Sequence, residues 1–182
     1  MKTRMRTRNN SSERANALTW LLIPASAVLL AIILNSFVIL SAIVPSVSMA
    51  DTLEKGSLLV ADRLAYINDS PERGDVIIFS HPEIDERHVV KRVIALPGDM
   101  IEIKEGRVYL NRSDFPTDEP YVKSFSNDSM EELTVPDGCY FVMGDNRQSS
   151  HDSRFLSFRF VREDDITAKA VITLLPKIKK IN

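Results

Sequence analysis

Ser48 is the first residue of this chain that invites a chemical reading. It sits in Pro45-Ser46-Val47-Ser48-Met49, directly after an apolar run, Ala15 to Val44, that contains no charged residue. A serine hydroxyl is a weak nucleophile until a neighbouring base takes its proton. The sequence offers two kinds of base. One is imidazole, since the chain has three histidines, His81, His88 and His151. His151 precedes Asp152, but neighbours along a strand point to opposite sides, so that adjacency does not aim the acid at the ring. The other is Lys91, in His88-Val89-Val90-Lys91-Arg92-Val93-Ile94-Ala95. Under period-two alternation Lys91 shares a face with Val89 and Val93, and Arg92 shares one with Val90 and Ile94. The pattern separates neither the two cations nor a snorkelling lysine from a desolvated one. Chemistry favours Lys91 over Arg92, because arginine keeps its proton in a protein and a buried lysine can lose it. To serve as a base near neutral pH, the ammonium must be destabilised by roughly 4 kcal/mol relative to the amine. Burial supplies such a term, and a paired carboxylate opposes it.

The apolar run must position Ser48. From Leu18 to Val44 it would measure roughly 40 Å as a helix, against a hydrocarbon core of about 30 Å. It is long enough to span a membrane once, with tilt. Ser48-Met49-Ala50 also fits the small-residue pattern of a cleavable signal, but the apolar region of such signals is only about 7–15 residues. An anchor is the expectation. Lys2, Arg4, Arg6, Arg8 and Arg14 against Glu13 give the first fourteen residues +4, which leaves −6 of the net −2 for residues 15–182. The basic end is expected on the cytoplasmic side, with everything from Ser46 onward outside. The predicted organisation is a cytoplasmic tail over 1–14, a transmembrane anchor over 15–44 and an extracytoplasmic domain over 45–182. The basic run is short and terminal, so nucleic acid is not an expected partner. Cys139 is the single cysteine of the 182 residues, which excludes an intramolecular disulfide. It is read as a small buried residue in a strand. His81, Glu83, Asp85 and His88 match no common metal-ligand spacing and read as a solvated loop, so no metal or cofactor is expected.

After Met49 the pattern is one of short strands and turns. Ser57–Ala61, Val76–Phe79, His88–Ala95, Met100–Lys104, Arg107–Leu110, Cys139–Met143 and Ile166–Leu175 read as strands. Glu105-Gly106 reads as a two-residue hairpin link. Asn111–Met130 is polar and reads as a surface excursion. The predicted fold class is mainly β: one N-terminal transmembrane helix followed by a β-rich barrel or sandwich-like domain.

Four segments, in order, carry a resemblance. Pro45-Ser46-Val47-Ser48-Met49, Arg73-Gly74-Asp75-Val76, Lys91-Arg92-Val93-Ile94-Ala95-Leu96-Pro97-Gly98-Asp99 and Gly144-Asp145-Asn146-Arg147-Gln148-Ser149-Ser150-His151-Asp152-Ser153-Arg154 resemble the ordered boxes of the bacterial type I signal peptidases. The resemblance runs from about Val44 to Leu175. It implies a serine endopeptidase with Ser48 as nucleophile and Lys91 as general base. It implies that Ser46 assists at the oxyanion and that Ser150 orients the lysine. Asp145, Arg147, Asp152 and Arg154 are the implied charged support. Val44, Pro45, Met49, Leu53, Val89 and Val90 are the implied lining of shallow substrate pockets. The implied partners are signal peptides of exported preproteins and membrane lipid, and the implied location is the cytoplasmic membrane. Two alternatives stand beside it: a peptidase dedicated to one secreted, pilus or conjugation client, and a catalytically weak tethered binding domain. One position departs from the family pattern. Asp51 stands where proline is usual, removing a backbone restraint and adding charge near the nucleophile.

Overall fold

The structure, a computed structural model, describes residues 10–50, 52–81, 88–155 and 159–181. It divides into two units, Met1–Val38 and Ile39–Asn182. In the first, an α-helix α1, Asn10–Ile33, runs on into a π-helical turn, Leu34–Val38. The stretch Thr19–Val38 has a mean hydropathy of 2.4 and none of it is buried. At 20 residues it would cover about 30 Å, the thickness of a bilayer's apolar core. The apolar run therefore does not form one helix to Val44. Its last residues, Ile39–Ile43, form strand β1. Leu40 is buried and Ile39, Ser41 and Ile43 are exposed, the period of two that marks a strand.

The second unit is built from two antiparallel sheets. The strands after β1 are β2 (Leu58–Asp62), β3 (Val76–Phe79), β4 (Val89–Ala95), β5 (Met100–Lys104), β6 (Arg107–Leu110), β7 (Met130–Thr134), β8 (Cys139–Met143), β9 (Val161–Arg162), β10 (Ile166–Leu175) and β11 (Lys179–Lys180). The larger sheet has the order β1-β2-β10-β3-β4-β8-β9, with β11 paired to β10. The smaller has the order β6-β5-β7. Glu105 and Gly106 both adopt positive φ, 49° and 76°, and join β5 to β6 as a two-residue link. Cys139 lies half-buried in β8, and burial pushes its thiol pKa up. Among the described residues, the buried apolar side chains form three clusters. One of them joins Leu40, Val44, Met49 and Leu53 to Leu59, Val76, Val90 and Ala168.

Residues 111–129 are not a simple surface excursion. Glu119 and Val122 are buried, and the Tyr121 ring lies 4.0 Å from the Arg92 guanidinium carbon. The segment folds inward because it carries the counter-charge for a buried arginine, as described below. Glu83 and Asp85, and with them most of the predicted solvated loop, lie outside the described residues.

The sheet has an unusual outer side. Leu40, Leu59, Ala61, Ala168 and Ala170 fill its inner side. On the other, Ile43, Leu58 and Leu175 stand in register across β1, β2 and β10. Ile43 is 68% exposed and Leu175 59%. The next row is Ser41, Val60, Ile172 and Lys180. An antiparallel sheet with one solvated face normally alternates apolar with polar residues; here both sides are largely apolar.

Candidate active site

Three segments converge on one cleft of about 220 Å³. The turn after β1 supplies Val44, Pro45, Ser46, Ser48 and Met49; the start of β4 supplies Val89, Val90 and Lys91; the segment after β8 supplies Ser149 and His151. The turn is held closed by main-chain bonds: Ala50 N–H donates to the Val47 carbonyl at 3.0 Å, and Thr52 N–H to the Met49 carbonyl at 2.8 Å. Ser48 is 5% exposed and Lys91 4%. The Ser46 and Ser48 hydroxyl oxygens are 3.1 Å apart. Lys91 Nζ donates to Ser150 Oγ at 3.0 Å.

Ser150 connects the amine to a buried ionic group. Its hydroxyl hydrogen-bonds the Asp152 carboxylate, which also accepts from the Gly144 N–H at 3.0 Å and from Arg154 Nε at 2.8 Å. Burial pushes the Asp152 carboxyl pKa up, but Arg154, Ser150 and the Gly144 amide together hold it below its ordinary value. Asp152 is therefore an acceptor only, and Ser150 must direct its hydrogen at Asp152 and its lone pair at Lys91.

The remaining charges pair across segments. Asp145 accepts from Arg92 Nε at 2.9 Å and Nη2 at 2.7 Å, and from the Thr52 hydroxyl. Arg147 donates to both oxygens of Glu119. Arg154 reaches Asp128 as well as Asp152. Asn146 ties this region to the turn, since its N–H donates to the Ser48 carbonyl at 3.0 Å and its side-chain amide to the Val47 carbonyl at 3.1 Å. Sequence reasoning weighed Arg92 only as a rejected base and gave no role to Glu119, Thr52, Tyr121 or Asn146. Arg92 and Asn146 lie inside the quoted boxes; the others carried no signal, because each matters only through a partner distant in the chain. Leu53 does not line the cleft. It is 1% exposed and packs in the same core cluster as Met49. Asp51 lies outside the described residues.

Gly144 sits where this network meets the nucleophile's backbone. A Cβ there would lie 2.3 Å from Ser150 Oγ and 2.4 Å from the Ser48 carbonyl oxygen. Both neighbours would have to move. Gly144→Ala is expected to cost about 1–3 kcal/mol of stability. Misplacing reacting groups by an ångström costs about 10²-fold in rate, so kcat should fall by that order. A thermal melt and a kinetic assay on the same preparation check both.

The sequence matches the family described as signal peptidase, peptidase S26, over residues 17–175. The chain belongs to that signal peptidase family. It is 37% identical over 157 residues to a Synechocystis protein named probable signal peptidase I-1, across 82% of this chain and 78% of the relative. It is 40% identical over 150 residues to a signal peptidase I of Bacillus caldolyticus, across 75% and 79%. A crystal structure of a signal peptidase I from Enterococcus faecalis is 33% identical, with a TM-score of 0.46, covering 56% of this chain and 97% of that one. Within this peptidase family, the cleft holding Ser48 and Lys91 is the candidate active site.

Proposed function

We propose that this peptidase cleaves signal peptides from exported preproteins by a Ser48–Lys91 dyad. The observation that carries the reading is the shared cleft, in which a buried lysine amine held by Ser150 and a buried serine hydroxyl line one small cavity. Neutral Lys91 takes the Ser48 proton as Ser48 attacks the scissile carbonyl. The Ser46 hydroxyl and the Ser48 N–H stabilise the oxyanion. The Lys91 ammonium then protonates the leaving amine, and water, activated by the same amine, releases the acyl group. Val44, Pro45, Met49, Val89 and Val90 present an apolar wall that suits small side chains just before the cut. Asp145 ties the segment after β8 to β4 and to the turn, while Arg147, Asp152 and Arg154 brace that segment itself and residues 111–129; the chemistry needs neither metal nor cofactor.

Processing of a preprotein by the full chain in detergent tests the reading. Wild type should release the mature protein and Ser48→Ala should not; cleavage by Ser48→Ala would overturn it. Ser46→Ala removes one oxyanion donor and should lower kcat by about 10²–10³-fold with KM little changed.

Membrane placement belongs to the same proposal. Thr19–Val38 serves as the span, with the basic N-terminus cytoplasmic, and β1 begins at the next residue. The outer row of Ile43, Leu58 and Leu175 is then matched to lipid, and exposed Lys177, Lys179 and Lys180 to its headgroups. Protease protection of the tail in right-side-out vesicles should leave residues 45–182 digestible; the reverse pattern would refute the orientation.

A further inference from the structure

The cleft has a polar wall that the dyad does not use. Ser150 has extended backbone, φ −117° and ψ 124°. Its side chain points inward to Lys91, and it stands between Ser149, the last residue of a 3-10 turn, and His151. Both are exposed, and both line the cleft. The His151 ring is not left to wander. It stacks on Phe155 with centroids 6.3 Å apart and planes 11° from parallel. Phe155 in turn lies 4.9 Å from the Arg154 guanidinium carbon, which Asp152 and Asp128 fix. The exposed imidazole rests on Phe155, which in turn rests on the Arg154–Asp152 ion pair.

Chemistry says which part of a substrate meets it. The group that protonates the leaving amine must lie beside that amine. In the reading above this group is Lys91, and its nitrogen is held by Ser150, the residue next to His151. The apolar wall of Val44, Pro45, Met49, Val89 and Val90 takes the residues before the cut. The residues after the cut must therefore leave along the Ser149–His151 side.

We infer that His151 is a specificity-determining residue that reads the first residues after the cleavage point and favours an acidic side chain there over a basic one. The inference rests on the endopeptidase reading and adds to it. Imidazole donates an N–H in either protonation state, and its contact with an ionised carboxylate is a charge-assisted hydrogen bond. A lysine at the same place offers only donors and positive charge. Arg154 and Arg147 are paired with carboxylates of their own, so among the described residues that line the cleft His151 is, beside Lys91 of the dyad, the side chain that can distinguish charge.

The test uses peptides identical up to the cut, carrying Glu, Gln or Lys at the first or second position after it, with the full-length enzyme in detergent. The readout is the ratio of kcat/KM for the Glu peptide over the Lys peptide. Wild type should show a ratio of about three- to tenfold, the scale of one exposed charged contact. His151→Ala should bring it close to one, His151→Lys should restore it, and His151→Glu should reverse it. A wild-type ratio near one, or a ratio unmoved in His151→Ala and His151→Glu, overturns the inference while cleavage of the peptides upholds the endopeptidase reading. Absence of cleavage of every peptide by wild type counts against the endopeptidase reading itself.

Discussion

Lys91→Arg is expected to leave the protein folded and reduce kcat/KM by about 10⁴-fold, the upper range for loss of a general base. Arginine retains the long apolar stem but brings a permanent charge to a site that is 4% exposed, so the variant should melt below wild type while still folding. What is lost is a proton-accepting state, because a guanidinium stays protonated in proteins. A lysine that mattered only as a cation would tolerate the change. The wild-type pH–rate profile should carry an acidic limb: as pH falls through the pKa of the amine, Lys91 gains the proton that bars it from accepting one from Ser48, and rate is lost. Ser150→Ala should shift that limb, because it removes the hydroxyl that accepts from Nζ at 3.0 Å. His151 lines the same cleft and offers a rival base. Activity that survives Lys91→Arg and Lys91→Ala but vanishes in His151→Ala would assign the proton transfer to imidazole instead.

The seven residues of β4 show why the sequence left that choice open. Every one of them is buried, because β4 pairs with β3 on one side and β8 on the other and both its faces are covered. A strand of that kind reads as a continuous apolar run, and alternation conveys nothing about its two cations. The structure sends them apart: Lys91 to Ser150 and the cleft, Arg92 to Asp145. Most other strands were legible to within a residue, since each is an apolar stretch bounded by turn residues. Four strands were missed: Val161–Arg162 and Lys179–Lys180 are only two residues long and carry no period, and the other two were hidden for opposite reasons. Ile39–Ile43 disappears into a helix-length apolar run, where composition does not mark the change of period. Met130–Thr134 is a polar edge strand, Met-Glu-Glu-Leu-Thr, paired to β5 on one side, so it lacks the apolar face that signals a strand. The ion pairs were illegible for a third reason. Arg147 has acidic residues close by in sequence but bonds Glu119, and Arg92 bonds Asp145. Only tertiary folding decides such partners.

Asp145→Asn is expected to destabilise the catalytic domain by about 3–5 kcal/mol, because it leaves the Arg92 charge buried without its counter-ion. Arg92 is 1% exposed and Asp145 is fully buried, joined by two hydrogen bonds. For a domain of this size the loss corresponds to a fall of roughly 10–20 °C in Tm. Replacing both residues with apolar ones of similar volume, Arg92→Met with Asp145→Leu, should recover most of that stability, since the desolvation penalty vanishes along with the attraction. Activity should not recover with it. Asp145 stands between Gly144, whose N–H is held by Asp152, and Asn146, whose N–H holds the Ser48 carbonyl. Arg92 is the chain neighbour of Lys91. The pair therefore fixes the amine-bearing strand against the segment that carries the nucleophile's backbone. The double variant should melt near the wild-type temperature and yet show a depressed kcat, with KM changed much less. Full recovery of kcat alongside Tm would mean that the pair serves folding alone, and that Ser48 and Lys91 are registered by the turn and by Ser150 without it.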